Sequence, residues 1–338
     1  MTTLSPAAGA GPGAGMRFAV DTWAPDYGTS REEELREAAR PVDVSVEVAP
    51  DRWAPIDPTA GPDPAAVPDT VTFVDGVRRI DARIWIATDP TTDADPAAAG
   101  APAGLDAAGV CATVAAGAVR CTPGSATIVA AVVKRALFTA APAAATLDLG
   151  PAGRYELKPL PVATDDALYL AVHRHMTSIE EELSHDLDEP GLVVFDGPLG
   201  VRDGANAAGY IKSQHVQYLT EPAHQAVIAA LTPGERTPLF RIGGELPNWS
   251  WYLRLPGPRS HSMSGVVRVE LPALGDAAGA ADRADEITAA LPRFASEAHK
   301  DARAPQNLYP IAGLERELRR RLGDAALLDR ALRRHAGR

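Results

Sequence analysis

Short apolar runs separated by turn residues fill the middle of the chain, and their spacing predicts a series of strands. Residues 71–76 (VTFVDG) are β-prone and close on an Asp-Gly pair, which predicts a strand that ends at Asp75. Residues 79–87 alternate between apolar and polar positions, which predicts a second strand and hairpin partner of the first. Residues 108–120 and 126–134 are further strand candidates.

A helical period follows these strands. Within residues 168–187, apolar side chains recur on one face at the 3.6-residue period. The continuous apolar run at residues 192–195 is typical of a central strand buried on both sides, and it ends at Asp196-Gly. Residues 206–219 are predicted to form a helix that carries Lys212.

The last third of the chain mixes both periods. Residues 240–255 and 265–271 are typical of a late strand pair, whereas residues 281–290 and 311–332 have helical spacing. The order of strands, a helix, a strand and then a mixture predicts an α/β or α+β fold with a mixed central sheet flanked by helices.

The beginning of the chain has a different composition. Residues 1–15 are rich in Ala, Gly and Pro and are expected to be disordered, and residues 31–40 are typical of a short polar helix. Residues 49–70 contain six prolines and are typical of an extended linker. We therefore expect an N-terminal extension over residues 1–70 and a main domain over residues 71–330.

Composition limits the function classes. The 338 residues are 46% apolar, enough for a sizeable core, and the formal net charge is -11. A strong non-specific nucleic-acid binder is usually basic, so a protein of this charge that acts on DNA needs a local basic groove or a partner. Only two cysteines occur, and no secretory signal or membrane span is evident in the sequence. The expectation is a reduced, cytoplasmic protein without membrane association.

The two strand-end aspartates are the first candidates for chemistry. Asp75 and Asp196 each follow an apolar run and precede a glycine. Hard divalent ions prefer carboxylate oxygens, and phosphoryl-transfer enzymes hold such ions with two or more carboxylates. A single Asp-Gly is more simply a turn. If the pair shares metal ions, their carboxylates should lie about 4–7 Å apart.

A helix glutamate is the candidate third ligand. Within the run of three glutamates that begins at Glu180, that residue lies four positions after Met176 and three before Leu183, so it borders the apolar face. Glu181 points away from that face and is the fallback ligand. A solvated helix face is the simpler explanation for at least two of the three.

Several further residues fit contacts to phosphate. Lys212 is placed to neutralise negative charge, Tyr309 precedes a proline at a helix start, and Arg254, Arg303 and Arg316 are candidates for nucleic-acid contact. Each also has an ordinary explanation. These are a surface lysine, a boundary aromatic, a core or dimer-interface strand, and a charged helix face paired with its own glutamates.

Taken together, these motifs resemble the NurA family of DNA-repair nucleases, in the family's order over residues 71–322. The matching elements are FVDG at 73–76, the helix with glutamates, VVFDGPLG at 193–200, YIK at 210–212, WYLR at 251–254 and the Tyr-Pro helix start at 309–310. The DGPL element followed by the lysine is the most specific of them.

The resemblance implies an RNase H-like core and a manganese-dependent nuclease, with Mg²⁺ as the alternative ion. It implies 5′-to-3′ exonuclease and single-strand endonuclease activity in DNA end processing and double-strand break repair. It also implies a homodimer that works with a HerA-type hexameric ATPase. On this basis Asp75, Asp196 and Glu180 or Glu181 would be the metal ligands, with Lys212 and Tyr309 completing the catalytic set.

The chain departs from the family pattern at one position. The family often has a histidine about two helical turns after the late tyrosine, and here the eighth residue after Tyr309 is Glu317. Either Glu317 replaces the histidine as an oxygen ligand, or the helix register differs, or the site is altered. The last case leaves a second hypothesis, a non-catalytic scaffold that regulates a DNA-translocating ATPase. A third is a ribonuclease or other nucleotidyl-transfer enzyme on the same core.

Overall fold

The computed structural model describes residues 18–20, 40–60, 67–87, 105–187, 191–200, 206–212, 216–259 and 261–336. Within these residues, twelve strands form one sheet. The strands are β1 (Phe18–Val20), β2 (Val42–Asp43), β3 (Val71–Ala87), β4 (Leu105–Thr122), β5 (Ser125–Thr139), β6 (Leu147–Asp148), β7 (Arg154–Pro159), β8 (Leu192–Asp196), β9 (Ala207–Ile211), β10 (Phe240–Ile242), β11 (Asn248–Arg254) and β12 (Val266–Pro272). The α-helices are α1 (Asp165–Asp186), α2 (Pro222–Ala230), α3 (Ala277–Ala290), α4 (Tyr309–Arg321) and α5 (Ala325–Ala336).

The sheet is mixed, as the sequence predicted. Its order is β2-β10-β11-β12-β9-β8-β3-β4-β5-β7-β6, and β1 pairs with β3 outside this path. β8 runs parallel to both of its neighbours, β3 and β9, whereas β3, β4 and β5 are antiparallel. The predicted central position of the 192–195 run is therefore confirmed, and the predicted α/β fold with a mixed sheet flanked by helices is confirmed with it.

The prediction that the first strand ends at Asp75 is wrong. β3 continues for 17 residues, and Gly76 pairs with Ala116 inside the ladder. The predicted second strand at residues 79–87 is the far half of the same strand, beyond a bulge between Ile80 and Ala82. An Asp-Gly pair favours a turn only when no partner strand holds both sides, and β4 pairs with β3 along nearly its whole length.

Helices α1 and α4 pack on opposite faces of the long strands. α1 buries Val172, Met176 and Ile179 against a cluster that includes Ala116 on β4. α4 belongs to the cluster that contains Phe73 on β3. Because side chains alternate between the faces of a strand, Gly76 faces α1 while Asp75 faces α4.

The predicted helix over residues 206–219 is wrong in its first part, because residues 207–211 form strand β9. The Ala-Ala-Gly sequence has no strong strand preference of its own, and burial between β8 and β12 decides its conformation. The predicted helix over residues 311–332 divides into α4 and α5 at Gly323, whose φ of 82° interrupts the helix.

The other predicted elements are confirmed. Residues 108–120 and 126–134 lie in β4 and β5, the 168–187 helix corresponds to α1, and the 281–290 helix lies within α3. The late strand region contains β10, β11 and β12. Residues 1–15, and residues 31–39 of the helix predicted over residues 31–40, fall outside the described residues. No helix in the described part of the chain is both long and apolar enough to cross a lipid bilayer.

The proline-rich segment packs on the sheet where it is described. Trp53 is 9% exposed, and Ile56 forms an antiparallel bridge with Arg236. The prolines remove backbone donors but leave extended backbone that an edge strand can pair with. The described residues between 40 and 57 therefore pack on the same sheet as the core.

Candidate metal centre

Three carboxylates lie close together at the C-terminal end of β8. The oxygens that Asp75, Asp196 and Glu315 offer all lie within 4.8 Å of one another. They come from β3, the end of β8 and helix α4, three elements separated along the chain. None of these separations exceeds the upper limit of about 7 Å expected for carboxylates that share divalent ions.

Asp75 is the most buried of the three, with 5% of its surface exposed. Its Oδ1 accepts the Gly76 N–H at 2.8 Å, whereas its Oδ2 has no hydrogen-bond partner in the described structure. Burial raises the pKa of Asp75 well above its ordinary value, and the nearby Asp196 carboxylate raises it further, against the opposing effect of Lys212. An unpartnered carboxylate oxygen in this position is suited to a cation.

Asp196 stands where β8 ends. The next residue, Gly197, has a φ of 109°, so the chain changes direction there, and its N–H still donates to the Tyr210 carbonyl of β9 at 2.8 Å. Lys212 Nζ lies 2.7 Å from Asp196 Oδ2. Burial raises the pKa of Asp196, and the lysine acts in the opposite direction.

Glu315 completes the group, and sequence reasoning missed it as a candidate ligand. It is the sixth residue after Tyr309 and lies between Leu314 and Leu318, which are both buried. It therefore borders the apolar face of α4, as Glu180 borders that of α1. The same positional argument would have identified it. Arg303, a predicted nucleic-acid contact, instead lies 2.7 Å from the Glu315 carboxylate.

Glu180 reaches the same cavity from the other face of the sheet. It is 3% exposed, and a Cβ added at Gly76 would lie 2.2 Å from its Oε1. Gly76 thus makes room for the Glu180 carboxylate, which gives the FVDG glycine a role other than turning the chain. Glu181 also lines the cavity. Neither glutamate belongs to the group of three that lies within 4.8 Å.

A polar network holds the lysine and arginine in place. Asn307, which is fully buried, accepts a hydrogen bond from Lys212 Nζ at 2.9 Å and donates one to Asp301 at 2.7 Å. Asp301 in turn accepts the Arg303 backbone N–H at 2.7 Å. The loop before α4 therefore connects the Lys212 side chain, beside Asp196, to Arg303, whose side chain lies beside Glu315.

Glu270 supports the turn after Asp196. It is 1% exposed, accepts the Leu199 N–H at 3.0 Å and forms an ion pair with buried Arg268. Gly209 on β9 lies against the same turn, since a Cβ there would approach the Leu199 nitrogen to 2.8 Å. These contacts position the DGPL element that the sequence singled out.

Four other predicted site residues lie apart from the three carboxylates. Glu317 pairs with Arg320 and Arg321 along its own helix at 2.8 and 2.9 Å. The Tyr309 hydroxyl donates to Glu297 at 3.2 Å. The remaining two are Arg254, 3% exposed and hydrogen-bonded to backbone carbonyls, and Arg316, which is exposed on α4. Arg254 is therefore buried in this structure, and its contact with nucleic acid stays a prediction.

The donor set fits a hard divalent cation. Three oxygen ligands within 4.8 Å, an orphaned buried Oδ2 on Asp75 and a fourth carboxylate at Glu180 match what Mn²⁺ or Mg²⁺ coordinates. They line a cavity of about 740 Å³. Among the described residues, Lys212 forms an ion pair with Asp196 and Arg303 forms one with Glu315, and both offset part of this negative charge.

Comparisons with solved structures return nucleases. The NurA nuclease from Sulfolobus solfataricus matches 76% of this chain and 82% of its own, at 11% identity and a TM-score of 0.45. The catalytic domain of human Endonuclease V matches 88% and 96%, at 14% identity and a TM-score of 0.33. Endonuclease V from Bacillus subtilis matches 89% and 95%, at 11% identity and a TM-score of 0.30.

One of these neighbours, the NurA nuclease, bears the name of the family that the sequence motifs resemble. No family model and no curated protein matches the chain. At these identities and TM-scores, similarity to a solved structure does not establish an activity, so the function has to be argued from the residues of the site.

Proposed function

We propose that this protein is a divalent-metal-dependent nuclease that hydrolyses phosphodiester bonds in DNA. The observation that carries the proposal is the meeting of Asp75, Asp196 and Glu315 within 4.8 Å, with Glu180 lining the same cavity. Clusters of carboxylates that hold two ions are typical of nucleases and polymerases. The NurA and Endonuclease V neighbours are named nucleases, which supports the proposal.

Asp75, Asp196 and Glu315 would hold the ions, and Glu180 would complete the set from the α1 side. When bound, divalent ions at such a site activate a water and stabilise the negative charge that develops around phosphorus. The protein itself supplies rigidity. Asp75 sits inside a paired strand, and the Glu270 contact to Leu199 fixes the turn that follows Asp196.

Lys212 is the residue placed to neutralise the phosphate. Its Nζ is held between Asp196 Oδ2 and the Asn307 side-chain oxygen Oδ1, at 2.7 and 2.9 Å. A lysine ammonium has three donors, so one N–H is left for a ligand after these two contacts. Its charge would act on a non-bridging phosphate oxygen in the cavity.

The finer features of the proposal come from the resemblance to NurA. They are Mn²⁺ as the preferred ion, 5′-to-3′ exonuclease and single-strand endonuclease activities, a role in DNA end processing, and cytoplasmic location. A homodimer that works with a HerA-type hexameric ATPase belongs to the same proposal. A local site of this kind is compatible with the net charge of -11 if the partner helps to hold the DNA.

The scaffold hypothesis is less well supported than the enzyme. It rests on the Glu317 departure and on the acidic net charge, but Glu317 pairs with arginines of its own helix while Glu315 lies beside Asp75 and Asp196. A third acidic ligand from α4 supports the enzyme over the scaffold.

The test compares wild-type protein with Asp75→Ala and Asp196→Ala on end-labelled single- and double-stranded DNA in Mn²⁺ and in Mg²⁺. The proposal expects cleavage by the wild type and a loss of at least about a hundredfold in each variant, because ligand removal dismantles the site. Equal cleavage by all three proteins would end the proposal. An RNA substrate of the same sequence tests the ribonuclease alternative.

A further inference from the structure

The segment before the core strands brings a cation to the metal cavity. Two ties fix this segment to the sheet. β2 pairs with β10, with Val42 opposite Ile242. Glu47 receives the two terminal nitrogens of Arg236 at 2.8 and 2.9 Å, and Arg236 is only 1% exposed. The start of β2 is therefore held firmly, and the residue two before it, Arg40, lines the cavity with the carboxylates.

The Arg40 guanidinium is fixed in direction by the turn between β10 and β11. Its Nε donates to the Gly243 carbonyl at 2.7 Å, and its Nη2 donates to the Leu246 carbonyl at 2.6 Å. Both acceptors are neutral, and no ion pair of Arg40 with a carboxylate occurs within the described residues. A guanidinium has five N–H donors, so its Nη1 remains for a ligand. The positive charge is thus positioned but not neutralised.

Helix α1 adds a second cation to the same cavity. Arg174 is exposed, lines the cavity with Arg40 and likewise forms no ion pair among the described residues. The cavity of about 740 Å³ therefore combines a carboxylate group, suited to divalent ions, with two separate arginines. A single phosphate needs less space and fewer cations, whereas a strand with several phosphates matches both features.

We propose that Arg40 and Arg174 bind phosphates of a single DNA strand adjacent to the phosphate that lies at the metal centre. This inference rests on the proposed nuclease function and adds the residues that hold the strand. It gives the N-terminal segment a role in substrate binding, although none of the motifs that resemble the nuclease family lies in it.

The test measures binding of a fluorescein-labelled single-stranded oligonucleotide to the full chain by anisotropy, over a series of NaCl concentrations. In this binding assay Ca²⁺ replaces Mn²⁺, because Ca²⁺ also binds carboxylates. A gel verifies that the oligonucleotide stays intact. The variants are Arg40→Gln and Arg174→Gln. Arg52→Gln is the matched control, since Arg52 is an exposed arginine of the same segment that does not line the cavity.

Each cavity variant should bind the strand roughly tenfold more weakly, and the slope of log K against log salt should fall by about 0.7 for each lost phosphate contact. In Mn²⁺, KM should rise with little change in kcat, since the contact is made before and during reaction. Mn²⁺ affinity by calorimetry should stay at the wild-type value. Arg40→Gln with the affinity and slope of Arg52→Gln would overturn the inference.

Arg40→Lys separates binding from folding. Lysine keeps the positive charge but cannot form both hydrogen bonds to the Gly243 and Leu246 carbonyls. Strand binding should therefore be partly restored relative to Arg40→Gln. If Arg40 were only structural, both variants would lower the unfolding temperature and weaken Mn²⁺ binding alike. If strand binding depends on Arg40 but no cleavage occurs, only the nuclease proposal is contradicted. If cleavage occurs and Arg40→Gln does not change it, only this inference is contradicted.

Discussion

Replacing Asp75 with Asn should stabilise the metal-free protein while it removes metal binding. The Asp75 carboxylate is buried, one of its oxygens has no hydrogen-bond partner among the described residues, and it faces two other carboxylates. Such an arrangement is costly without a cation and favourable with one. The sign of the effect should therefore reverse between EDTA and Mn²⁺.

The size of the expected change in the free energy of unfolding follows from the distances between the carboxylate oxygens. The three carboxylate oxygens lie within 4.8 Å of one another. Repulsion between two unit charges at that separation is about 3 kcal/mol at an effective dielectric constant of about 20. Lys212 and Arg303, each 2.7 Å from one of the other two carboxylates, offset part of it. We expect Asp75→Asn to raise the free energy of unfolding in EDTA by about 1–2 kcal/mol.

Urea unfolding in EDTA and in Mn²⁺ measures both signs. Asp81→Asn is the matched control in the same strand. Asp81 is also buried, but its oxygens accept from Arg79 at 2.7 Å, Thr113 at 2.5 Å and Tyr155 at 2.9 Å. Its replacement should lower stability in both buffers, by about 1–3 kcal/mol. An Asp75→Asn variant that is less stable than wild type in EDTA would refute the electrostatic reasoning.

The difference in stability between Asp75→Asn and wild type should depend on pH. The raised pKa of Asp75 means that, between the ordinary and the raised value, the folded state holds a proton that the unfolded state has lost. The contribution of this group to stability therefore falls as the pH rises through that window. In EDTA, the advantage of Asp75→Asn over wild type should shrink as the pH is lowered from neutrality into the window. An advantage that grows on acidification would contradict the assignment.

Three further variants test other parts of the structure. Gly76→Ala should cost about 1–3 kcal/mol of stability and weaken Mn²⁺ binding, because its Cβ would lie 2.2 Å from Glu180 Oε1; wild-type metal affinity would argue against Glu180 as a ligand. Lys212→Met should lower kcat by about a hundredfold on DNA, and an unchanged kcat would remove its proposed role. Glu47→Gln should lower the free energy of unfolding by about 3 kcal/mol, since it removes a negative charge that is paired with buried Arg236, and a neutral result would show that the ion pair does not hold the N-terminal segment.

Asp196 could be predicted from the sequence because both local signals agree there. A continuous apolar run implies burial on both sides, and Asp-Gly after it implies a change in chain direction, which the φ of 109° at Gly197 shows. Asp75 has the same local signals, but β3 passes straight through it. The difference lies in the long pairing with β4, a contact between distant parts of the chain that local patterns do not encode.

Glu315 illustrates a different failure. Counting residues from Tyr309 by analogy pointed to Glu317, whereas the apolar face of α4 selects Glu315. The helical-face argument favoured Glu180 as a ligand; Glu180 lines the cavity together with Glu181, and the same argument applied to α4 selects Glu315. Arg40 offered no comparable signal, since its place in the cavity depends on pairing with strands about 200 residues later.

The most direct test of the metal centre compares Mn²⁺ binding by wild type, Glu315→Gln and Glu317→Gln, measured by titration calorimetry. Both changes remove one negative charge from α4, two residues apart, so their difference reports position rather than net charge. We predict that Glu315→Gln weakens Mn²⁺ binding at least about tenfold and that Glu317→Gln leaves it at the wild-type value. Weakened binding in Glu317→Gln alone would contradict the assignment of Asp75, Asp196 and Glu315 as the metal-binding group.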